Sequence, residues 1–533
     1  MLAAEHDLSW QFYRRGIRPR LLSLSSEVTM RKMLLFLIPV LVLALLCACN
    51  RASVPQTPAA EPESAPQAGT QPEEQPDAAA HIRVPDRTLT AAHYAADVFE
   101  LAPVRQYGCT LEGREYVGSD AVTVRMYRAA GGGITGGVCT YYDKTLPEGT
   151  TMHYYTAGNQ WVHGGLSEGT CAARFIYLEQ PDGAGTILIL PRTYTLREND
   201  SLEYHPELDG TLSITKTVDG WRVTMRAFGL QEGRVADCMT VMADTPLLSW
   251  DAENCGDVWG YHTRNLSAKW CYTGYFRQSP DNYIPTGTQY YYRCAASYLI
   301  RDMVRKIPSD KAAAVLTVAM LDTMTQQQNS YGYWPTTPGS EWLQGDYGIG
   351  PGFYDTRFNT DLLEVYISAA RRLGMGMFDE AIARYVGFFS QIADTSHIST
   401  KSGGWLIPDY WYPGELQTPH TSLNHQASEC LALYHAADLL RRDDLRVLAD
   451  RMLLAIEDTG SGWVMPDHNL YYSVLPDGTY LTGDYPYLTY NDLYALRKYL
   501  TGFGKEQNET LTLLMDEKLI WMRANGVAGY KTD

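Results

Sequence analysis

The chain has 533 residues, of which 45% are hydrophobic and 20% charged, and its formal charge is −17. Its first 48 residues hold six Arg or Lys and three Asp or Glu, so the rest of the chain sits near −20. That acidity argues against non-specific binding to nucleic acid or anionic membrane, and the ordinary globular composition over some 450 residues predicts two domains.

The N-terminus reads as an export signal. Arg31 and Lys32 precede an apolar run, Met33 to Leu46, that ends in Leu46-Cys-Ala-Cys49. A basic start, a short apolar stretch and small residues before a cysteine make a secretory pattern, too short to span a bilayer. The ending is similar to a bacterial lipobox, which implies that Cys49 carries a lipid and that the chain meets the outer face of the membrane through that anchor alone. Met30 opens this signal better than Met1, so residues 1–29 read as an over-called start and 30–49 as the signal peptide. Residues 50–85 are rich in Pro, Ala, Gln and Glu. Such a stretch buries too little apolar surface to offset its ordering entropy, and a disordered spacer is expected there.

Residues 90–285 read as a β-rich domain. Ala121 to Tyr127, Ala173 to Tyr177 and Thr186 to Leu190 are short β-branched or aromatic runs bounded by Gly, Pro and Asp. Leu212 to Val218 and Trp221 to Arg226 alternate apolar and polar residues around Asp219-Gly220, a strong hairpin signal. Strands and turns at this spacing predict a β-sandwich or open barrel. The Gly-rich Gly131 to Gly137 lacks the Gly-Lys-Ser/Thr ending of a phosphate loop and reads as a strand connection. Eight cysteines lie beyond the signal, seven of them before residue 300. In an exported chain these permit disulfides that would staple this domain, although spacing cannot assign the pairs. No zinc-type Cys/His spacing occurs.

From residue 290 to 533 the apolar period changes to that of helices. Ser309–Gln328, Asp361–Leu373, Met377–Ile392, Gln426–Leu440, Asp443–Ile456, Asn491–Leu500 and Glu509–Met522 carry apolar residues three and four apart. Alternating short and long connections predict helical hairpins wound into a complete or partial α/α toroid. The long loops, 329–360, 394–425 and 457–490, are where binding residues are expected. They gather aromatic rings, carboxylates and amides, the surface a sugar ring offers partners to. The first loop holds Glu341, Asp346, Tyr347, Tyr354 and Arg357. In the second are Trp405, Asp409, Tyr412, Glu415, His420, Asn424 and His425. Tyr471, Tyr472 and Tyr485 belong to the third. With 38 Tyr in the chain, packing or simple sugar contact is the commoner role for any single one. Asp467-His468 reads as a turn, and Asp458-Thr-Gly as a helix stop.

Tyr412-Pro413, Leu423-Asn424, Asp458-Thr-Gly-Ser-Gly462, Tyr471 or Tyr472, and Asp484-Tyr485 occur in an order that resembles the C-terminal domain of the D-glucuronyl C5-epimerases, over residues 300–525. The resemblance implies C5 epimerisation of a uronic acid in a polysaccharide, with no cofactor and no metal. It makes Tyr412 one proton-transfer residue, with Tyr485 or Tyr472 as its counterpart. Inversion at C5 needs a base on one ring face and an acid on the other, and a basic Tyr needs its pKa lowered from about 10. Arg357 is the candidate cation for the substrate carboxylate. Tyr354, Asp409, Glu415, Asn424, His425, Trp405 and Tyr471 are the expected substrate contacts. Two departures stand out: the family pattern carries Glu where this chain has Trp411, and Tyr-Asp-Leu-Arg where it has Tyr471-Tyr-Ser-Val474. Two other classes therefore stay open, a toroid lyase or hydrolase using Asp409 with Asp346 or Glu341, and a glycan-binding lipoprotein without catalysis.

Overall fold

The computed structural model describes residues 83–156, 158, 160–252, 255–264, 267–296, 298–503 and 508–532. The signal, Cys49 and nearly all of the expected spacer lie outside them. Among the described residues no helix is long and apolar enough to cross a membrane. Pro85–Asp533 belong to one compact unit.

The N-terminal half is built on a thirteen-stranded antiparallel sheet. At its centre Gly185–Leu196 pairs with Arg234–Ala243 on one side and Phe175–Glu179 on the other. A second sheet of four strands takes the order Gly137–Leu146, Gly220–Leu230, Thr211–Thr217, Gly169–Cys171. Strand alternation sends successive side chains to opposite faces. Leu188 and Leu190 pack with Val223 and Met225 of the small sheet, while Ile187 and Ile189 join the core shared with the helices. The β-rich region expected from the sequence, as a sandwich or open barrel, is present as two antiparallel sheets, and the larger is covered on both faces. That is why Gly185–Tyr194 is buried at every position instead of alternating.

The expected hairpin forms, with its turn one residue earlier than the Asp-Gly signal suggests. Thr217 faces Gly220, so Val218 and Asp219 make the loop. Gly220 opens the next strand at φ 135°, where a Cβ would sit 2.2 Å from the Leu146 carbonyl oxygen. Residues 132–136 connect the large sheet to the small one, the strand connection expected of the glycine run. The eight cysteines all stand as free thiols. Cys109, Cys139 and Cys238 fill the sandwich core while Cys255 and Cys294 belong to the core shared with the helices, so no stapling bridge forms among the described residues.

Eight longer helices complete the chain: α1 (Tyr298–Lys306), α2 (Lys311–Thr325), α3 (Thr356–Leu373), α4 (Asp379–Ser396), α5 (Leu423–Leu440), α6 (Asp443–Thr459), α7 (Leu488–Gly502) and α8 (Glu509–Ala524). Short connections join them into four hairpins. The inner helices α1, α3, α5 and α7 lie side by side in chain order. All seven helices read from periodicity are present, several reaching further than the apolar pattern. The pattern misses α1, whose nine residues directly succeed an aromatic strand. It also starts α3 five residues late, because the first turn is fixed by a cap: the Asp355 carboxylate accepts from the Phe358 N–H at 2.9 Å.

Helix α2 joins the halves. It is apolar all round and buried from Ala312 to Met324, as a helix with core on every side must be. Its one buried carboxylate, Asp322, accepts from Arg87 on the first strand and from the Tyr116 hydroxyl at 2.7 Å. In the middle of the hairpin array, Ala427, Ala432, Ala436 and Ala437 let neighbours approach α5 closely. Fully buried Leu433 and Ile456 each contribute roughly 1.5–3 kcal/mol by leaving water.

Candidate active site

The inner helices α3, α5 and α7 begin at the long loops, and miniature strands stitch those loops together. Tyr354–Asp355 pairs with Tyr410–Trp411, and Thr421–Ser422 pairs with Tyr471–Val474, which pairs with Tyr480–Gly483. Each pairing fixes a side chain from one loop against a helix start from another.

Asp409 is the centre of this arrangement and is fully buried. Its backbone is clamped: the N–H donates to the His420 carbonyl at 2.9 Å, and its carbonyl accepts from the Thr356 N–H at 2.9 Å and the Thr356 hydroxyl at 2.7 Å. One carboxylate oxygen accepts from the Ser422 N–H at 2.7 Å, the other from the Ser422 hydroxyl. His420 Nε2 lies 3.2 Å from Oδ2, and His425 Nδ1 lies 3.5 Å from Oδ1. Burial pushes the Asp409 carboxyl upward, but the two imidazoles and the Ser422 donors outweigh it and hold it below the usual carboxylate range. Burial pushes His425 down to about 4. His425 is therefore neutral near neutral pH and acts on Asp409 only through its ring dipole there, while the directed hydrogen bonds that favour the ionised carboxylate come from Ser422.

The far nitrogen of His420, Nδ1, is 2.8 Å from the Tyr347 hydroxyl. His420 Nε2, 3.2 Å from Asp409, has no aligned hydrogen-bond partner among the described residues; when Nε2 carries the hydrogen, Nδ1 accepts from Tyr347, and the three residues form one chain of contacts. The His420 ring also meets Tyr472 (5.8 Å between centroids), and Tyr472 meets Tyr485 edge-on at 5.4 Å. Tyr485 is pushed up by burial, partly offset by a hydrogen bond with Tyr472, so its phenol keeps its proton at neutral pH. Its backbone is anchored by the fully buried Lys518, which donates to the Tyr485 carbonyl and to Asn469 at 2.6 Å each and pairs with Asp484 at 2.9 Å.

A second polar chain crosses the starts of the inner helices. Tyr298 on α1 donates to Asp361 at 3.0 Å. Arg357 lies between Asp361 (3.1 Å) and Asp492 of α7 (2.6 Å). Its charge is thus already met by two carboxylates. On α5, Asn424 is 1% exposed and its Oδ1 has no hydrogen-bond partner among the described residues. A buried acceptor left open costs about 1–3 kcal/mol.

The structure brings together Asp409, His425, Tyr472 and Tyr485 of the sequence-derived set. Arg357 and Asn424 join them, since Arg357 acts electrostatically on both His425 and Tyr485, and Asn424 adjoins His425 on the first turn of α5. Tyr412 joins none of the hydrogen bonds or ring contacts of this cluster among the described residues. Its phenol packs on Gly350, where a Cβ would lie 2.8 Å from the hydroxyl, and its N–H donates to Glu415 at 3.3 Å. Trp405 stacks on His397 at 3.9 Å with Arg451 over its ring, between α4 and α6. Tyr471 meets Tyr480 at 5.4 Å, and Tyr354 is buried against Tyr385. Asp458 closes α6 and accepts from the Ser402 N–H at 2.7 Å, the structural role expected of a helix stop. Asp346 and Glu341 are exposed, whereas Asp409 is sealed from solvent.

Sequence reasoning named both Tyr347 and His420 among the residues of the marked loops but gave neither a role. The available signal was a His two residues before the Ser422 cap of α5. Its partner Tyr347 stands 73 positions earlier in the chain.

No family model matches this chain, and no curated protein matches it. Solved structures similar in chain path include a D-mannose isomerase, at 13% identity and TM-score 0.33 over 44% of this chain and 61% of the other. The cellobiose 2-epimerase of Spirochaeta thermophila is 11% identical at TM-score 0.33, again over 44% and 61%. A family 76 glycoside hydrolase from a bovine Bacteroides thetaiotaomicron strain is 9% identical at TM-score 0.35, over 75% of each chain. The chain spans about six-tenths of the first two structures' length.

Proposed function

We propose that this chain is a carbohydrate-processing enzyme whose Tyr/His/Asp cluster moves a proton at a ring carbon, with C5 of a uronic acid in a polysaccharide as the substrate position. The hairpin array is in this reading an open portion of an α/α toroid, and the loop-bearing end of α3, α5 and α7 is its mouth. The observation that carries the reading is His420, bracketed by Asp409 and the Tyr347 hydroxyl and adjoining Tyr472 and Tyr485. Tyr347 takes the departing proton on its phenol oxygen as its own hydroxyl proton passes to His420 Nδ1, with Asp409 stabilising the imidazolium that forms. Tyr485, held protonated by burial, is the donor on the other ring face. Tyr472 stands between them. General acid–base groups placed this way contribute typically 10²–10⁴-fold each.

One observation favours a second reading, processing of a neutral sugar. Arg357 is already shared by Asp361 and Asp492, so an incoming uronate has to compete with them for it. A neutral ring meets no such competition. Display on the outer membrane face through Cys49 completes the proposal; labelled fatty acid should enter the full chain and not its Cys49→Ala variant.

Incubating residues 81–533 with uronate polysaccharides in deuterated water tests the chemistry. Deuterium at C5 without chain shortening supports epimerisation, and unsaturated ends indicate a lyase. New reducing ends from neutral glycans support the second reading. Binding with neither label nor cleavage overturns both and leaves a glycan-binding protein.

A further inference from the structure

Some 20 residues beyond Asp409, on the buried side of α5, stands a carboxyl group that the proposed reaction does not use. Glu429 is fully buried. Its Oε2 meets the hydroxyl of Thr360 on α3 and, at 3.0 Å, that of Tyr385 on α4, while Oε1 has no partner. Tyr385 in turn meets the Tyr354 hydroxyl at 2.9 Å. The other titratable groups acting on it are Glu364 and Asp361 of α3, both acidic. Among the described residues no cation lies within ion-pair distance of Glu429. Burying an ionised carboxylate without a cation costs several kcal/mol, and protonation removes that cost.

The hydrogens point the same way. Thr360 has one hydroxyl proton and two acceptors in reach, the Thr356 carbonyl at 2.7 Å and Oε2 of Glu429. When the proton goes to Thr356, the Thr360–Glu429 contact is a hydrogen bond only if the carboxyl supplies the hydrogen. Thr356 is also the residue whose N–H and hydroxyl hold the Asp409 carbonyl. A single hydrogen-bonded path therefore runs Glu429–Thr360–Thr356–Asp409.

We propose that Glu429 is a neutral carboxylic acid in the working protein and a positioning residue for the Asp409 centre, which loses its alignment when Glu429 ionises. The positioning half rests on Asp409 belonging to the active site; the protonation half does not. Burial raises the Glu429 pKa to about 8, against the donors Thr360 and Tyr385, so ionisation falls in the mildly alkaline range.

Infrared spectroscopy of the folded protein carrying ¹³C-carboxyl glutamate reads the first half directly. At neutral pH a label-shifted carbonyl band of a protonated acid is expected, disappearing with a midpoint about pH 8 and absent from Glu429→Gln. Absence of that band from the wild-type protein overturns the proposal. For the second half, in an Asp355→Asn background because Asp355 is itself raised to about 8, the His420 ring resonances should shift with the same midpoint and stay fixed when Glu429→Gln, whose amide still donates to Thr360, is added. Resonances indifferent to the transition overturn the positioning role. Both readouts are spectroscopic, so a failure of the deuterium experiment would count against the proposed reaction and leave the Glu429 result intact.

Discussion

The mouth of the hairpin array and its interior each hold a fully buried carboxyl group, Asp409 and Glu429, and the two are held in opposite states. Asp409 meets a backbone N–H and a serine hydroxyl that donate at once, with two imidazoles beside it, and it stays ionised. Glu429 meets two hydroxyls that have other acceptors or donors to serve, and burial keeps its proton on. Depth alone does not distinguish them, since both are 0% exposed. The number of hydrogens aimed at the oxygens does.

The largest effect is expected from breaking the mouth. Asp409→Ala strands the Ser422 donors and His420 in a sealed pocket and should cost about 3–5 kcal/mol, the usual penalty for removing one partner of a buried polar pair. Urea unfolding at neutral pH measures this, and a loss under about 1 kcal/mol would show that Asp409 is no centre at all. Tyr485→Phe should keep the fold and lower C5 proton exchange by roughly 10²–10⁴-fold, with Tyr412→Phe far milder because Tyr412 stands outside the cluster. Equal losses from the two variants would dissolve the distinction between mouth and surround.

The pH dependence of stability sharpens the same contrast. His425 has its folded pKa pushed down to about 4, from an unfolded value of about 6.5, so below that the unfolded chain binds the proton first. Stability should therefore fall as pH drops from about 6.5 toward about 4, and His425→Gln should flatten that limb. Glu429 has its folded pKa raised to about 8, so its contribution is full below the unfolded value and is lost as pH rises through about 8. Asp355, also raised to about 8 by burial, adds to this loss, which runs from the unfolded carboxyl value of about 4 up to about 8, and Asp355→Asn separates its share from that of Glu429→Gln. The smallest effect is expected at the helix that carries Tyr347. Ser340 caps its N-terminus, accepting from the Leu343 N–H, and Ser340→Ala should cost about 1 kcal/mol in thermal or urea unfolding.

Much of this was legible from short-range pattern. Periodicity marked seven of the eight longer helices, and alternation around Asp219 marked the hairpin. The three long loops were marked as the place for chemistry, and the cluster lies in them. Asp409 and His425 were recognisable as candidates because loops gather binding groups, whereas Tyr472 and Tyr485, like Tyr412, took their proposed catalytic roles from motif resemblance. Tyr412 was chosen by motif resemblance, which carries no information about which way a ring turns; here it turns onto Gly350. Trp405, of the right type and in the right loop, stacks instead between two outer helices. Arg357 shows the same limit, since its partners Asp361 and Asp492 are 4 and 135 residues away and only the nearer is visible as a helical neighbour.

By itself the sequence determined the class of each segment: the order of strands before helices, the hairpin turn, the helical stripes, the acidic charge, and loops rich in rings and acids. These arise from interactions between residues a few positions apart, through backbone sterics and the periods of strand and helix. Tertiary structure alone decided that the large sheet is covered on both faces, that the cysteines stand apart as thiols, and that Tyr347, Asp409 and His420 form one chain of contacts. It also decided which of two buried carboxyls is charged. Protonation depends on how many donors and cations converge on an oxygen in low dielectric, and those arrive from helices and loops whose distance along the chain says nothing about their distance in space.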